Sequence, residues 1–230
     1  MEINTFIAKI IDRKSLTEDV IMLSFPCPED FTFKAGQYVS VKIENESETK
    51  RRSYSILNPP SQKGRLDLCI KIVEGGFASE IFNDAKIGDT FEIKGPLGHF
   101  IFDENENSST SYLIGTGTGV TPFHSMLLEF VPAMPQKRFV LIFGVRHKTG
   151  LFLHDQFKQL ARKYPNFEYI PTLSRDKWEG KEGRVQRHLP DNCDDAIFYI
   201  CGLKEMVFEV KGLLINKKVD PKNIRFERYN

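Results

Sequence analysis

The spacing of apolar residues changes character partway along the chain. Over the first hundred residues, short strand-like runs at 5–11, 20–25, 37–43, 52–57, 65–73 and 90–94 are separated by Pro26, Pro28, Gly36, Pro59, Pro60, Gly64 and the pair Gly75-Gly76. Repeated short strands with such breaks predict an antiparallel barrel or sandwich of six strands. One stretch departs from this pattern. At 78–84, Ser79 is placed to cap and Ile81-Phe82 to face inward, so a short helix fits. The β domain is expected to close near Phe102, and the wholly polar run 103–110 reads as a linker. Beyond it, short apolar strands at 112–114, 139–143, 167–172, 196–200 and 224–227 alternate with helical stretches at 122–130, 153–163 and 204–216. That alternation predicts a parallel, doubly wound α/β sheet over residues 111–230.

Composition narrows the field. Lys plus Arg number 32 and Asp plus Glu 31, a formal charge of +1. This gives no basic surface of the kind that phosphate-backbone binding needs, so no nucleic-acid partner is expected. The N-terminal residues carry early charges and no apolar run long enough for a signal peptide or membrane span, which makes a cytoplasmic protein the expectation. Cys27, Cys69, Cys193 and Cys201 are scattered without metal-ligand spacing, and the five histidines lie far apart. No metal is expected, and each histidine reads as a surface or packing residue.

The chemistry concentrates in three places. Gly115-Thr116-Gly117-Thr118-Gly119-Val120-Thr121-Pro122 follows an apolar strand and opens a helix. Glycines allow the backbone close to a diphosphate, the helix start offers unpaired N–H groups, and Pro122 suits a first turn. The third glycine of the usual dinucleotide fingerprint is replaced by proline. Where that fingerprint would place an acid for the ribose, the second strand is followed by Arg146; Ser174-Arg175 follows the third strand, and Arg184 comes soon after. Arginine forks suit phosphate oxygens, so these residues favour NADPH over NADH. In the β domain, Arg52-Ser53-Tyr54-Ser55 sets a cation, an aromatic ring and a hydroxyl in one strand: one for a phosphate, one for a flat ring, one for a ring nitrogen. Gly75-Gly76-Phe77-Ala78-Ser79 then leads into the short helix, a second N-terminus able to receive a phosphate.

Taken in order, Arg52 to Ser55, Gly75 to Ser79, Gly95-Pro96-Leu97-Gly98, the 115–122 loop and Cys201-Gly202-Leu203-Lys204-Glu205-Met206 resemble the ferredoxin–NADP reductase family over nearly the whole chain. The resemblance implies an FAD-binding barrel and an NAD(P)-binding domain. It implies that Arg52 contacts the FAD pyrophosphate, Tyr54 packs on the flavin, Ser55 bonds its N5, and 76–79 cradle the pyrophosphate. It implies further that the 115–122 loop takes the pyridine-nucleotide diphosphate and that Cys201 and Gly202, in the motif ending at Met206, lie beside the nicotinamide. Tyr229 would be the C-terminal aromatic over the flavin. Ser55, Cys201 and Tyr229 are thus the expected catalytic residues. The activity implied is transfer of electrons from NADPH (or NADH) through FAD to a separate acceptor: ferredoxin, flavodoxin or an oxygenase component. Two alternatives stand beside it: a dedicated reductase component of a multi-protein complex, and a free-flavin reductase.

Overall fold

The computed structural model describes residues 3–229, and the chain divides into two compact units. The first comprises residues up to Phe102 together with His124–Glu129. Its strands are β1 (Asn4–Lys9), β2 (Asp12–Ser15), β3 (Val20–Pro26), β4 (Tyr38–Glu44), β5 (Thr49–Ser55), β6 (Arg65–Lys71) and β7 (Thr90–Leu97), with helix α1 (Phe77–Asp84) before β7. They form two antiparallel sheets, ordered β1-β7-β4-β5 and β2-β3-β6.

The expected six-stranded barrel is thus approximated by seven strands in two sheets. The difference arises in the first apolar run, which reads as one strand over 5–11. The Ile10 N–H bonds Asp89 O next to β7, whereas the Ile11 N–H bonds Ser24 O in β3. The chain changes sheets between these two isoleucines, a corner of the kind that joins packed sheets. The strand beyond it, Asp-Arg-Lys-Ser, is wholly polar and carries no apolar signal of its own. Leu23, Phe25, Val39, Val41, Ile43, Leu66, Leu68 and Ile93 alternate inward to build the core between the sheets, with Phe82 of α1 closing one side.

The second unit holds β8 (Thr110–Thr116), a 3-10 turn (Gly117–Val120), the two ends of α2 (Thr121–Ala133), β9 (Arg138–Val145), α3 (His154–Lys163), β10 (Phe167–Leu173), β11 (Lys181–Glu182), β12 (Ala196–Leu203), α4 (Lys204–Asn216) and β13 (Ile224–Tyr229). Every described pairing in its six-stranded sheet is parallel, in the order β11-β10-β9-β8-β12-β13. Runs such as Phe139 to Phe143 and Ile197 to Cys201 are buried throughout, as strands covered on both faces must be. The strand order reverses at β8, with β9 on one side and β12 on the other. In open α/β sheets the crevice at such a reversal, beyond the carboxyl ends of the strands, is where ligands bind. Here those ends are the glycine loop after β8 and Cys201-Gly202 in β12.

Candidate cofactor and nucleotide sites

In the first unit, β5 is an edge strand whose residues 50, 52 and 54 share one face by the two-residue period. The two outer members of that set both meet α1. The Lys50 ammonium lies 4.9 Å over the Phe77 ring, and Tyr54 packs edge-on against Phe82 with ring centroids 5.5 Å apart. Arg52, between them, therefore lies on the strand face turned toward the helix. Its guanidinium bonds only the neighbouring Arg51 carbonyl at 3.0 Å and pairs with no acid among the described residues. Arg51 on the opposite face is spent on Glu92 and on Ser40 O. The two adjacent arginines thus have different fates, and the one beside α1 keeps its charge available.

At the start of α1, the Ser79 hydroxyl accepts the Val73 N–H at 2.9 Å, and the N–H groups of Ser79 and Glu80 bond Gly76 O. Ser79 braces the turn from inside. The N–H groups of Phe77 and Ala78, in the first helical turn, have no carbonyl to bond within the helix. Together with Arg52 they form a cradle of cation and backbone donors. Ser55 and Ser53 flank Tyr54 on the other strand face; Ser55 is buried and Ser53 exposed. Burial against α1 raises the pKa of the Tyr54 phenol, so that ring stays neutral.

In the second unit, the loop after β8 runs into a single 3-10 turn and then α2, with proline in the first turn. Gly119 is fixed by contact: a side chain there would strike the Cys201 carbonyl and Gly202 of β12. Gly202 is fixed likewise, since a Cβ would lie 2.5 Å from the Thr116 hydroxyl and 2.7 Å from Met206 Cε. The glycine loop and the end of β12 are therefore in backbone contact. Met206 itself is a core residue under Gly202.

Around this contact the polar atoms are unusual. The hydroxyls of Thr116 and Thr121 and the Oε2 of Glu227 are buried without any hydrogen-bond partner among the described residues. Cys201 and Glu227 are register partners on β12 and β13, and the Cys201 thiol hydrogen-bonds the Tyr229 side chain. Burial pushes the thiol well above its usual range, with the Glu227 charge adding to the effect, so Cys201 is a neutral thiol. Burial also lifts the Glu227 carboxyl to about 7. Unpaired buried polar atoms cost on the order of 1–3 kcal/mol each and are rare unless something else satisfies them. Beside the glycine loop they form a donor–acceptor set that suits the polar edge of a nucleotide, and a side chain at Gly117, in the same loop, would meet nothing within 4 Å. The pyridine nucleotide fits these residues. Glu227 escapes a reading of the sequence: it stands in the alternating run Ile-Arg-Phe-Glu-Arg-Tyr, where an acid looks solvent-facing, yet it is half-buried with its Oε2 inside.

The Arg175 N–H donates to Arg146 O at 2.9 Å, and the Ser174 N–H and hydroxyl both reach Val145 O. Arg184 follows β11, which pairs with the end of β10, and its guanidinium faces Glu209 of α4 at 3.9 Å.

Two family models divide the chain: "Oxidoreductase FAD-binding domain" matches residues 7–102 and "Oxidoreductase NAD-binding domain" matches 113–211. Together they define a two-domain flavin- and nicotinamide-binding oxidoreductase. The chain is 34% identical over 239 residues to ferredoxin–NADP reductase B of Sorangium cellulosum, covering 98% of each. It is 30% identical to the phenol hydroxylase P5 protein of Acinetobacter pittii, covering 96% of this chain but only 65% of that longer one. A ferredoxin NADP+ reductase from Neisseria gonorrhoeae, solved with bound FAD and NADP, superposes with a TM-score of 0.86 at 22% identity over 97% of this chain and 98% of the other, a likeness of fold. The chain belongs to the ferredoxin–NADP reductase family of flavin-dependent NAD(P)H oxidoreductases.

Proposed function

We propose that this protein oxidises NADPH through FAD and passes the electrons singly to a separate acceptor protein, such as ferredoxin, flavodoxin or an oxygenase component, in the cytoplasm. The observation that carries the nucleotide half of this reading is the buried, unpartnered set of Thr116, Thr121 and Glu227 around the contact between Gly119 and Cys201-Gly202. Bound FAD supplies the redox chemistry, taking up a hydride as a pair of electrons and releasing them one at a time.

The chain's own residues bind, orient and hold protons. Arg52 and the Phe77 and Ala78 N–H groups take the FAD pyrophosphate, Tyr54 borders the flavin ring, and Ser55 bonds a ring nitrogen. The 115–122 loop takes the nucleotide diphosphate at the start of α2. Thr116 donates to, and Glu227 accepts from, the nicotinamide carboxamide beside Cys201, which as a neutral thiol fills space without attacking it. Tyr229, bonded to Cys201, borders the same place. Arg146 and Arg175, with Ser174, take the 2′-phosphate. Below about pH 7 Glu227 carries a proton at its carboxyl, which makes it a donor there instead of an acceptor.

An absorption spectrum of the purified protein, followed by anaerobic titration with NADPH and then NADH, tests this reading. The expected result is a yellow protein that bleaches with NADPH at lower concentration than with NADH. A colourless protein that turns over only with added flavin would instead make it a free-flavin reductase.

A further inference from the structure

The pairing of β9 with β10 continues past the strands. After Leu173 aligns with Val145, the backbone bonds of Ser174 and Arg175 extend the ladder to Val145 and Arg146. Arg146 and Arg175 thereby stand on neighbouring strand ends, tied by a backbone bond. Neither forms an ion pair among the described residues. The acid nearest Arg175 in sequence is Asp176, and both its oxygens are committed elsewhere. Oδ1 accepts from His147 Nδ1 at 2.7 Å, and Oδ2 accepts the Lys148 backbone N–H at 2.8 Å. Further along the same loop, Lys148 pairs with Glu179 at 3.1 Å, and the Trp178 indole donates to Lys181 O at 2.6 Å. His147 and Lys148 hold the Asp176 carboxyl below the usual carboxylate range, so it stays ionised through neutral pH.

We infer that Asp176 is a positioning residue for nucleotide selectivity: by bridging His147 and Lys148 it ties the loop after β10, which carries Arg175, to the loop after β9, which carries Arg146, and so fixes the backbone from which both arginines reach a phosphomonoester. This rests on the reading above that these arginines take the 2′-phosphate. The geometry explains how an acid can adjoin an anion site without spoiling it. A carboxylate saturated by a histidine and a backbone N–H offers the arginines little, and it fixes the loop that carries one of them. Without this tie, only the bonds of Ser174 and Arg175 to the β9 end join the two loops there.

Calorimetric binding of adenosine 2′,5′-bisphosphate and adenosine 5′-monophosphate to the FAD-loaded protein tests this directly, in wild type, Asp176→Ala, Asp176→Asn, Arg175→Ala and the double variant Arg175→Ala/Asp176→Ala. Asp176→Ala is expected to weaken the bisphosphate about tenfold and the monophosphate less than twofold. Asp176→Asn, whose amide oxygen still accepts the Lys148 N–H, should recover part of the loss. In the Arg175→Ala background, removal of Asp176 should add less than twofold, because nothing is left to position; such coupling is what a double-mutant cycle isolates. Equal weakening of both ligands, or full additivity with Arg175→Ala, would overturn the role of Asp176 while leaving the arginine reading intact. If Arg175→Ala leaves bisphosphate binding unchanged, both fall. Thermal midpoints measured on the same samples identify a misfolded Asp176→Ala protein, in which case Asp176→Asn decides: bisphosphate affinity equal to wild type would overturn the proposal, and a selective loss would support it.

Discussion

The two units bind with opposite kinds of surface. In the first, the candidate cradle consists of an exposed cation, Arg52, and backbone donors at the start of α1, while the hydroxyl one would assign to it, Ser79, is already satisfied inside the turn. The groups that are left are exposed or half-exposed, where solvation offsets their polarity at little cost. In the second, the Thr116 and Thr121 hydroxyls and Glu227 Oε2 are buried without a hydrogen-bond partner among the described residues. Such a site is preorganised at the expense of stability, and a ligand that satisfies it returns that cost as affinity. One surface attracts by charge, and the other by the relief of buried polar groups.

The largest effect that would sharpen this contrast is expected in the first unit. Arg52→Ala removes the unpaired cation on the helix-facing side of β5. It should weaken FAD about 100-fold, or ~2.7 kcal/mol, in the range of a lost charge-assisted phosphate contact. Arg51→Ala, next in sequence but bonded to Glu92 and Ser40 O, should change FAD affinity less than threefold. Fluorescence titration of the apoprotein with FAD measures both. Equal losses would mean that general positive charge, not the face of β5, governs binding.

Next comes a pH effect confined to the second unit. Glu227 has an ordinary value of 4.5 when unfolded and about 7 when buried, so between these values the folded chain holds a proton that the unfolded chain has released. Stability from this group is therefore fully present below about pH 4.5 and lost as pH rises to about 7, beyond which it is constant. The loss should be about 2 kcal/mol after allowance for partial exposure. Glu227→Gln, neutral at every pH, should flatten that part of the profile. Chemical denaturation of wild type and variant at pH 5.5 and 7.5 checks this, and parallel profiles would show that Glu227 ionises freely.

This contrast also explains what the sequence could disclose. The Arg52 to Ser55 strand, the glycine loop and the alternation of strands with helices are local patterns, and α4 spans the 204–216 stretch that its periodicity predicts. The parallel order of the second sheet follows from the same alternation. Features that depend on long-range pairing were hidden. The change of sheets at Ile10-Ile11 has no marker, because both isoleucines read as one apolar strand. Glu227 has its Oε2 turned inside while lying opposite Cys201, and Asp176 gains its partners from a loop 28 and 29 residues away. Met206, part of a motif, proves to fill the core under Gly202. Satisfied and unsatisfied hydroxyls look alike in a sequence, since partners decide the difference.

The smallest effects test that last distinction by their sign. Ser79→Ala in the first unit deletes a hydroxyl that accepts the Val73 N–H, leaving that donor unbraced at the entry to α1. It should destabilise the protein by about 1 kcal/mol, the usual loss for such a bond. Thr116→Val in the second unit deletes a hydroxyl with no partner and replaces it with a methyl of similar shape, so no hydrogen bond is lost and an uncompensated burial is relieved. It should stabilise the ligand-free protein by up to about 1 kcal/mol and weaken the pyridine nucleotide, which would lose a donor. Urea denaturation of the two variants against wild type, with m-values held equal, reads both signs. Destabilisation by Thr116→Val would mean that this hydroxyl is satisfied in solution, and the account of the second unit as a site poised by unpaired polar groups would fail.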